Sequence, residues 1–481
     1  MSEIAFLGAA ELARRIAAKE LSASELLQMY LERVDRYNEA LNAIVVEDRD
    51  GATQRAASLD NAPSSAPFHG VPMTIKESFN ITGMPTTWGN PDWAGNVAEE
   101  DAEAVKVFNS LGVNLFGKTN VPLALADFQS YNDVYGTTGN PYDHSRTPGG
   151  SSGGSAAALA AGLTGIEAGS DIGGSIRNPA HFCGVFGHKP TWNLLWMRGH
   201  APPGDMRSTP DISVIGPMAR TAEDLDIALR ALAGPDEIAA RGIKLDLPSL
   251  EGRSVSDLKI AVWSDDVMCP VSVEVRKRVE LVADALRGLG ATVHDDARPA
   301  LSSEHSHDTY ERLLHATMAS RMPDSDYDSL KKYVENLDPD DDSRGARVFR
   351  AQVSSFKDWG EANELRHHLR WTWHEFFKDY DLLISPIMPT AAFPHDQAPF
   401  SERKLRVDNE DRPYFQQVFW AGLTGVSYLP STVIPTGLND EGLPIGIQIV
   451  APEYGDLMSI GTAAALEDQG LRFVPPRAYA E

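Results

Sequence analysis

Apolar residues near the start of the chain recur at helical spacing. Leu26, Leu27, Tyr30, Leu31 and Val34 share one face, with charges opposite. That period predicts an amphipathic helix lying on a core, and residues 1–60 read as a helical segment. Ser24, just before Glu25, is the expected cap. The pattern then changes. Val71-Pro72-Met73-Thr74-Ile75-Lys76 and Asn114-Leu115-Phe116-Gly117-Lys118 are short apolar runs, each ending on a lysine, with a helical stretch Asp101–Leu111 between them. Alternating strand and helix signals predict an α/β arrangement with a largely parallel or mixed sheet. Ser155–Leu163 is almost all Ala, Leu and Gly, so the helix it predicts must be buried on every face.

The second half repeats the alternation. Lys259–Trp263 reads as a strand, Val273–Leu289 as a long helix and Ala291–His294 as a further strand. Residues 301–370 are polar and helical, broken by Asp338-Pro339-Asp340-Asp341-Asp342, where like charges predict a solvated loop. Asp381–Ser385 is an apolar strand stopped by Pro386, and Gly442 turns the chain into a last strand ending at Val450. No short-period repeat interrupts the pattern. The expected organisation is one domain over 1–481, with the helical segment 1–60 at its start and a variable, mostly helical insertion at about 300–370.

Composition narrows the partners. The chain has 481 residues, 42% hydrophobic and 23% charged, which suits a folded protein. Its formal net charge of −25 repels phosphate backbones, so nucleic acid is not an expected partner. Cys183 and Cys269 stand in no metal-ligand spacing, so neither a metal nor another cofactor is expected, and two thiols in a chain this long fit a reducing compartment. Met1–Gly8 lacks the basic and apolar regions of a signal peptide, and no run of about 18 apolar residues offers a membrane span. A cytoplasmic protein, monomeric or homodimeric and without a membrane partner, is the expectation.

The chemistry concentrates in Gly149–Ser175. Ser151 and Ser175 each follow a Gly-Gly pair. Glycine lets backbone amides converge on one point, which suits a transient oxyanion, and a serine beside such a point is a candidate nucleophile. Ser175 needs a base. His181 and His188 lie near in sequence, but no orienting acid is identifiable for either. Lys76 ends an apolar run, and burial would lower its pKa into the range of a general base. A serine hydroxyl both donates and accepts, so Ser151 can relay a proton between Lys76 and Ser175. The structural alternatives are a Gly-Gly turn with a capping serine, and a lysine that is solvated or paired with Glu77.

Three blocks run in order: Gly139-Asn140-Pro141, then Arg146-Thr147-Pro148-Gly149-Gly150-Ser151-Ser152-Gly153-Gly154-Ser155, then Asp171-Ile172-Gly173-Gly174-Ser175-Ile176-Arg177-Asn178-Pro179-Ala180. Together they resemble the amidase signature family. Gly70-Val71-Pro72 leading to Lys76, Gly187-His188-Lys189-Pro190-Thr191, Pro386–Ala391 and Gly442–Gly446 resemble further blocks of that family. The resemblance spans about 10–235 and 380–470 and leaves 300–370 uncovered. It implies a large mixed, mostly parallel-type central sheet with helices on both faces. It also implies a Ser–Ser–Lys triad: Ser175 as nucleophile, Ser151 as bridging serine in a cis peptide, and Lys76 as base. The amides of Ile172, Gly173 and Gly174 would form the oxyanion hole. Glu77 stands where the family commonly has Asp, and the segment after Thr191 departs from the family's usual glycine turn.

The implied function is hydrolysis of non-peptide amide bonds through an acyl-enzyme, with small-molecule amides as substrates and esters and carbamates as further ones. The alternatives are the amidase subunit of a tRNA-dependent amidotransferase and a non-catalytic binding protein on the same scaffold. Gln129, Trp196 and Met197 are the expected substrate contacts. Residues 192–210, rich in Trp, Leu, Met, Gly and Pro, read either as an apolar lid over the site or as packing for the core. The lid reading predicts bulky or aryl amides.

Overall fold

The computed structural model describes residues 3–63, 65–204 and 206–480. Met1 and Ser2 of the expected helical segment, Asp205 within 192–210, and Glu481 lie outside them. The first long helix runs Ala23–Leu41 and buries the predicted Leu26, Leu27, Tyr30, Leu31 and Val34. Its cap is Ser22 rather than Ser24. Ser22 Oγ accepts from the Glu25 amide at 3.1 Å while Glu25 Oε2 accepts from the Ser22 amide at 2.8 Å, a reciprocal pair that contributes about 1 kcal/mol. Ser24 instead donates to Asp60 at 2.5 Å.

Asn42, left-handed at φ 54°, ends this helix. The chain then enters Ile44–Glu47, a strand inside the segment expected to be wholly helical. Four residues are too few for a period to separate strand from helix. This strand pairs antiparallel with Asn114–Thr119, which pairs parallel with Pro72–Lys76. Pro72–Lys76 is buried along its length. Alternation puts Thr74 and Lys76 on one face. That face meets the edge strand of the larger sheet, with Thr74 donating to Glu167 and Lys76 Nζ reaching Ser170.

The larger sheet has eight strands in the order Thr292–His294, Lys259–Val262, Leu382–Ser385, Pro444–Val450, Ser431–Leu438, Phe186–Lys189, Val214–Ala219 and Glu167–Asp171. The pairings at the Thr292 edge are parallel. From Leu382–Ser385 onward they are antiparallel. The sheet is mixed and flanked by helices, as expected, with a smaller parallel share. Short connections such as the turn before Pro444 favour antiparallel neighbours, whereas parallel ones need long crossovers.

Helices cover both faces. Gly187 meets Ala180 of the helix Arg177–Cys183, while its neighbour His188 bonds Asp456 at the start of the helix Asp456–Asp468. Successive strand residues point to opposite faces, so these helices lie on opposite sides. The helix predicted at Ser155–Leu163 runs Gly153–Ala160 and is buried throughout. A Cβ on Gly154 would sit 2.3 Å from the Asn120 nitrogen, so only glycine permits this close approach.

The polar region contains the helices Ser303–Ala319, Asp324–Glu335, Arg344–Gln352 and Phe356–Phe376. Asp338–Asp342 forms the loop between the second and third, as predicted. Among the described residues, no helix is long and apolar enough to cross a membrane, and no group of three His, Cys, Asp or Glu residues is placed to hold a metal.

Candidate active site

The junction of the two sheets brings Lys76, Ser151 and Ser175 together. Lys76 comes from the end of its strand. Ser151 precedes the buried helix and follows a cis peptide bond from Gly150. Ser175 follows the edge strand through the turn Ile172–Gly174. Lys76 Nζ lies 2.6 Å from Ser151 Oγ and 2.9 Å from Ser170 Oγ. Ser152 donates its amide to the Ser175 carbonyl at 3.0 Å, joining the two serine segments. Among the described residues the Ser175 hydroxyl engages no protein partner, and it borders a cavity together with Ser151 and Ser170.

Lys76 is fully buried. Burial pushes its ammonium well below the ordinary lysine range, and the Asp171 carboxylate opposes that push without cancelling it. Glu77 does not pair with Lys76. It faces the other way and accepts from the amides of Thr87 and Trp88, which holds the turn carrying Trp88 against the cavity.

Asp171 organises the turn. Its carboxylate accepts from the amides of Gly174 at 2.9 Å, Ile176 at 3.1 Å and Arg177 at 3.3 Å, and from Arg177 Nε and Nη2 at 3.0 Å each. Burial alone would raise its pKa, but the Arg177 guanidinium holds it down at about 2. Of the expected oxyanion-hole amides, that of Ile172 engages no acceptor among the described residues. The Gly174 amide is already taken by Asp171, whereas those of Gly173 and Ser175 engage no acceptor among the described residues. Gly174 has φ +101°, a conformation that glycine adopts at little cost.

The cavity measures about 390 Å³. Its lining includes Trp88, Trp93, Leu125, Met197, His200 and Pro202, together with Met318, Arg321 and Met322 of the polar region. Its lining is mainly apolar, the character of a small-molecule site. His200 accepts from or donates to Ser78 at 2.9 Å, and burial lowers its pKa to about 3, so its ring stays neutral. A larger cavity of about 640 Å³, bounded by Thr390–Asp396 and Lys404–Leu405, includes none of Lys76, Ser151 and Ser175.

Of the expected substrate contacts, Met197 lines the cavity. Trp196 faces a neighbouring one, beside Leu194 and Ile238. Gln129 is buried and bonds Asp396 through both ends of its amide, at 2.6 and 2.9 Å. It is a staple between segments. The stretch 192–210 divides: Leu194, Leu195 and Met197 are buried, and Trp192 stacks on Tyr428 at 4.6 Å, while Met197, His200, Pro202 and Pro210 edge the cavity.

His188 does have an acid, Asp456 at 3.1 Å, but on the sheet face turned towards the Asp456 helix. Both cysteines are buried with thiols pushed up by burial. Sequence reasoning missed Ser170, Asp171 with Arg177, and Tyr310. Asp171 carries one signal, an acidic residue one position ahead of the glycine turn.

The family profile described as Amidase matches residues 25–459. An acylamidase of Rhodococcus erythropolis is 31% identical over 469 residues, covering 96% of this chain and 95% of that protein. A glutamyl-tRNA(Gln) amidotransferase subunit of Acidothermus cellulolyticus is 32% identical over 508 residues, covering 97% of this chain and 95% of that protein. A solved bacterial aryl acylamidase, 24% identical, superposes with a TM-score of 0.80 and covers 99% of this chain and 98% of its own, a likeness of fold.

Proposed function

We infer that this chain, which belongs to the amidase family and is a hydrolase acting on amides, works through an acyl-enzyme formed on Ser175. Neutral Lys76 takes a proton from Ser151, which takes the proton of Ser175 as Ser175 Oγ bonds to the amide carbonyl carbon. The carbonyl oxygen becomes an oxyanion held by the amides of Gly173 and Ser175, with Ile172 beside them. The C–N bond then breaks, and the amine leaves with the proton returned from Lys76 through Ser151. Water repeats the path in reverse roles and releases the acid.

The observation that carries this reading is the buried Lys76 amine 2.6 Å from Ser151 Oγ. A cationic lysine would need a carboxylate in contact, and none of the ion pairs among the described residues includes Lys76.

The substrate is a bulky or aryl amide, with esters and carbamates as further substrates. The mainly apolar walls of Trp88, Trp93, Met197 and Met318 favour such groups over small polar amides. The purified chain should hydrolyse anilides faster than acetamide or glutamine, and Ser175→Ala should abolish both reactions. A preference for glutamine, or activity appearing only with added protein partners, would favour the alternative of an amidotransferase component.

A further inference from the structure

The polar region 300–370 lies outside the sequence blocks that first carried the resemblance, although the family profile spans it, and one of its side chains reaches the turn that carries Ser175. Tyr310, on the helix Ser303–Ala319, is fully buried and donates its hydroxyl to the Ile172 carbonyl at 2.9 Å. Its ring nests on Gly422, where a Cβ would come within 2.4 Å of it. Burial keeps the phenol protonated, its pKa raised above the ordinary tyrosine range, so it serves as a donor.

A trans peptide unit is planar, with C=O and N–H pointing in opposite directions. The only cis bond among the described residues is Gly150–Ser151. Fixing the Ile172 carbonyl on Tyr310 therefore fixes the Gly173 N–H on the opposite side, away from that helix. Gly173 itself cannot resist a peptide flip by side-chain bulk. Asp171 anchors the following amides of Gly174 and Ile176 but makes no bond to the Ile172–Gly173 unit.

We propose that Tyr310 is a positioning residue for the oxyanion site, holding the Ile172–Gly173 peptide so that the Gly173 amide faces the developing negative charge. This rests on the acyl-enzyme reading above. It assigns to the helical region 300–370 a part in the chemistry, beyond lining the cavity.

Tyr310→Phe keeps the ring and deletes the donor. Kinetics on an anilide should show kcat falling about tenfold, less than the 10²–10³ expected for outright loss of an oxyanion donor. KM should stay within about threefold, because ground-state binding is untouched. Phenylboronic acid gives a second readout. Ser175 Oγ bonds to boron, its proton passes to Lys76, and the boron takes the negative charge, so the inhibition constant should rise by the same factor as kcat falls. The midpoint of the pH–rate profile should not move.

Unchanged kcat and inhibition constant, a rise in KM alone, or a moved pH midpoint would each overturn the proposal. Should Tyr310→Phe fail to fold, Gly422→Ala displaces the same ring from behind and must give the same split. Wild-type enzyme inactive on every amide tested would instead mark the failure of the acyl-enzyme reading.

Discussion

Replacing Asp171 by Asn removes one charge and almost no volume. The wild-type carboxylate accepts five hydrogen bonds and sits against Arg177, both side chains being wholly buried. Arg177 keeps neutral partners in Thr424 and Gln448 at 3.1 Å but loses its counter-ion. Breaking one partner of a buried pair costs about 3–5 kcal/mol. For 481 residues unfolding as one unit, an unfolding entropy of about 2.1 cal/mol/K per residue turns that into a fall in Tm of about 3–5 °C. The carboxamide also turns an NH2 group toward backbone N–H groups, which should loosen the turn between Ile172 and Ser175. Misplacing an oxyanion donor lowers kcat by about 10²–10³ at the upper limit.

Asp171 also supplies the charge that opposes the downward shift of Lys76. Without it the Lys76 pKa falls further, so the acid limb of the pH–rate profile should move to lower pH. Arg177→Met should cost stability in the same way, and the double variant should lose less than the sum, because no unpaired charge then remains. The assay is thermal unfolding with kcat and KM across pH for the four proteins. An Asp171→Asn enzyme with kcat within about threefold of wild type, or fully additive losses in the double variant, would refute the reasoning.

The three reactive groups should behave as one unit: Ser175→Ala abolishes turnover, and adding Lys76→Ala or Ser151→Ala changes single-turnover rates little further. Wild-type activity should rise from acid toward mildly alkaline pH as Lys76 loses its proton, with a midpoint well below the ordinary 10.5. Since the folded pKa of Lys76 is below its unfolded value, stability rises with pH between the two; Lys76→Met should remove that slope and raise Tm at neutral pH, measured by calorimetry. Met197→Ala should change the kcat/KM ratio of anilide to acetamide, whereas Trp196→Ala, facing the neighbouring cavity, should leave it unchanged.

Lys76, Ser151 and Ser175 were legible in the sequence as candidates because their signals are local. Glycine pairs report where the backbone must approach or turn, and an apolar run ending in lysine reports burial. The same locality made the longest helices, the buried small-residue helix and four of the eight strands of the larger sheet readable. Ile44–Glu47 escaped because four residues carry no decisive period. What touches what was decided by tertiary structure. Tyr310 meets Ile172 across 138 residues, and Gln129 meets Asp396 across 267. Trp196 and Met197 are sequence neighbours that share one cavity, yet only Met197 also borders the one that holds Ser151 and Ser175. The choice of Gly173 and Ser175 over Gly174 as free amides likewise depends on where the Asp171 carboxylate lies once Arg177 has drawn it in. Backbone conformation follows from steric limits within a few residues, whereas side-chain partnership follows from which surfaces the packed sheets and helices bring into contact.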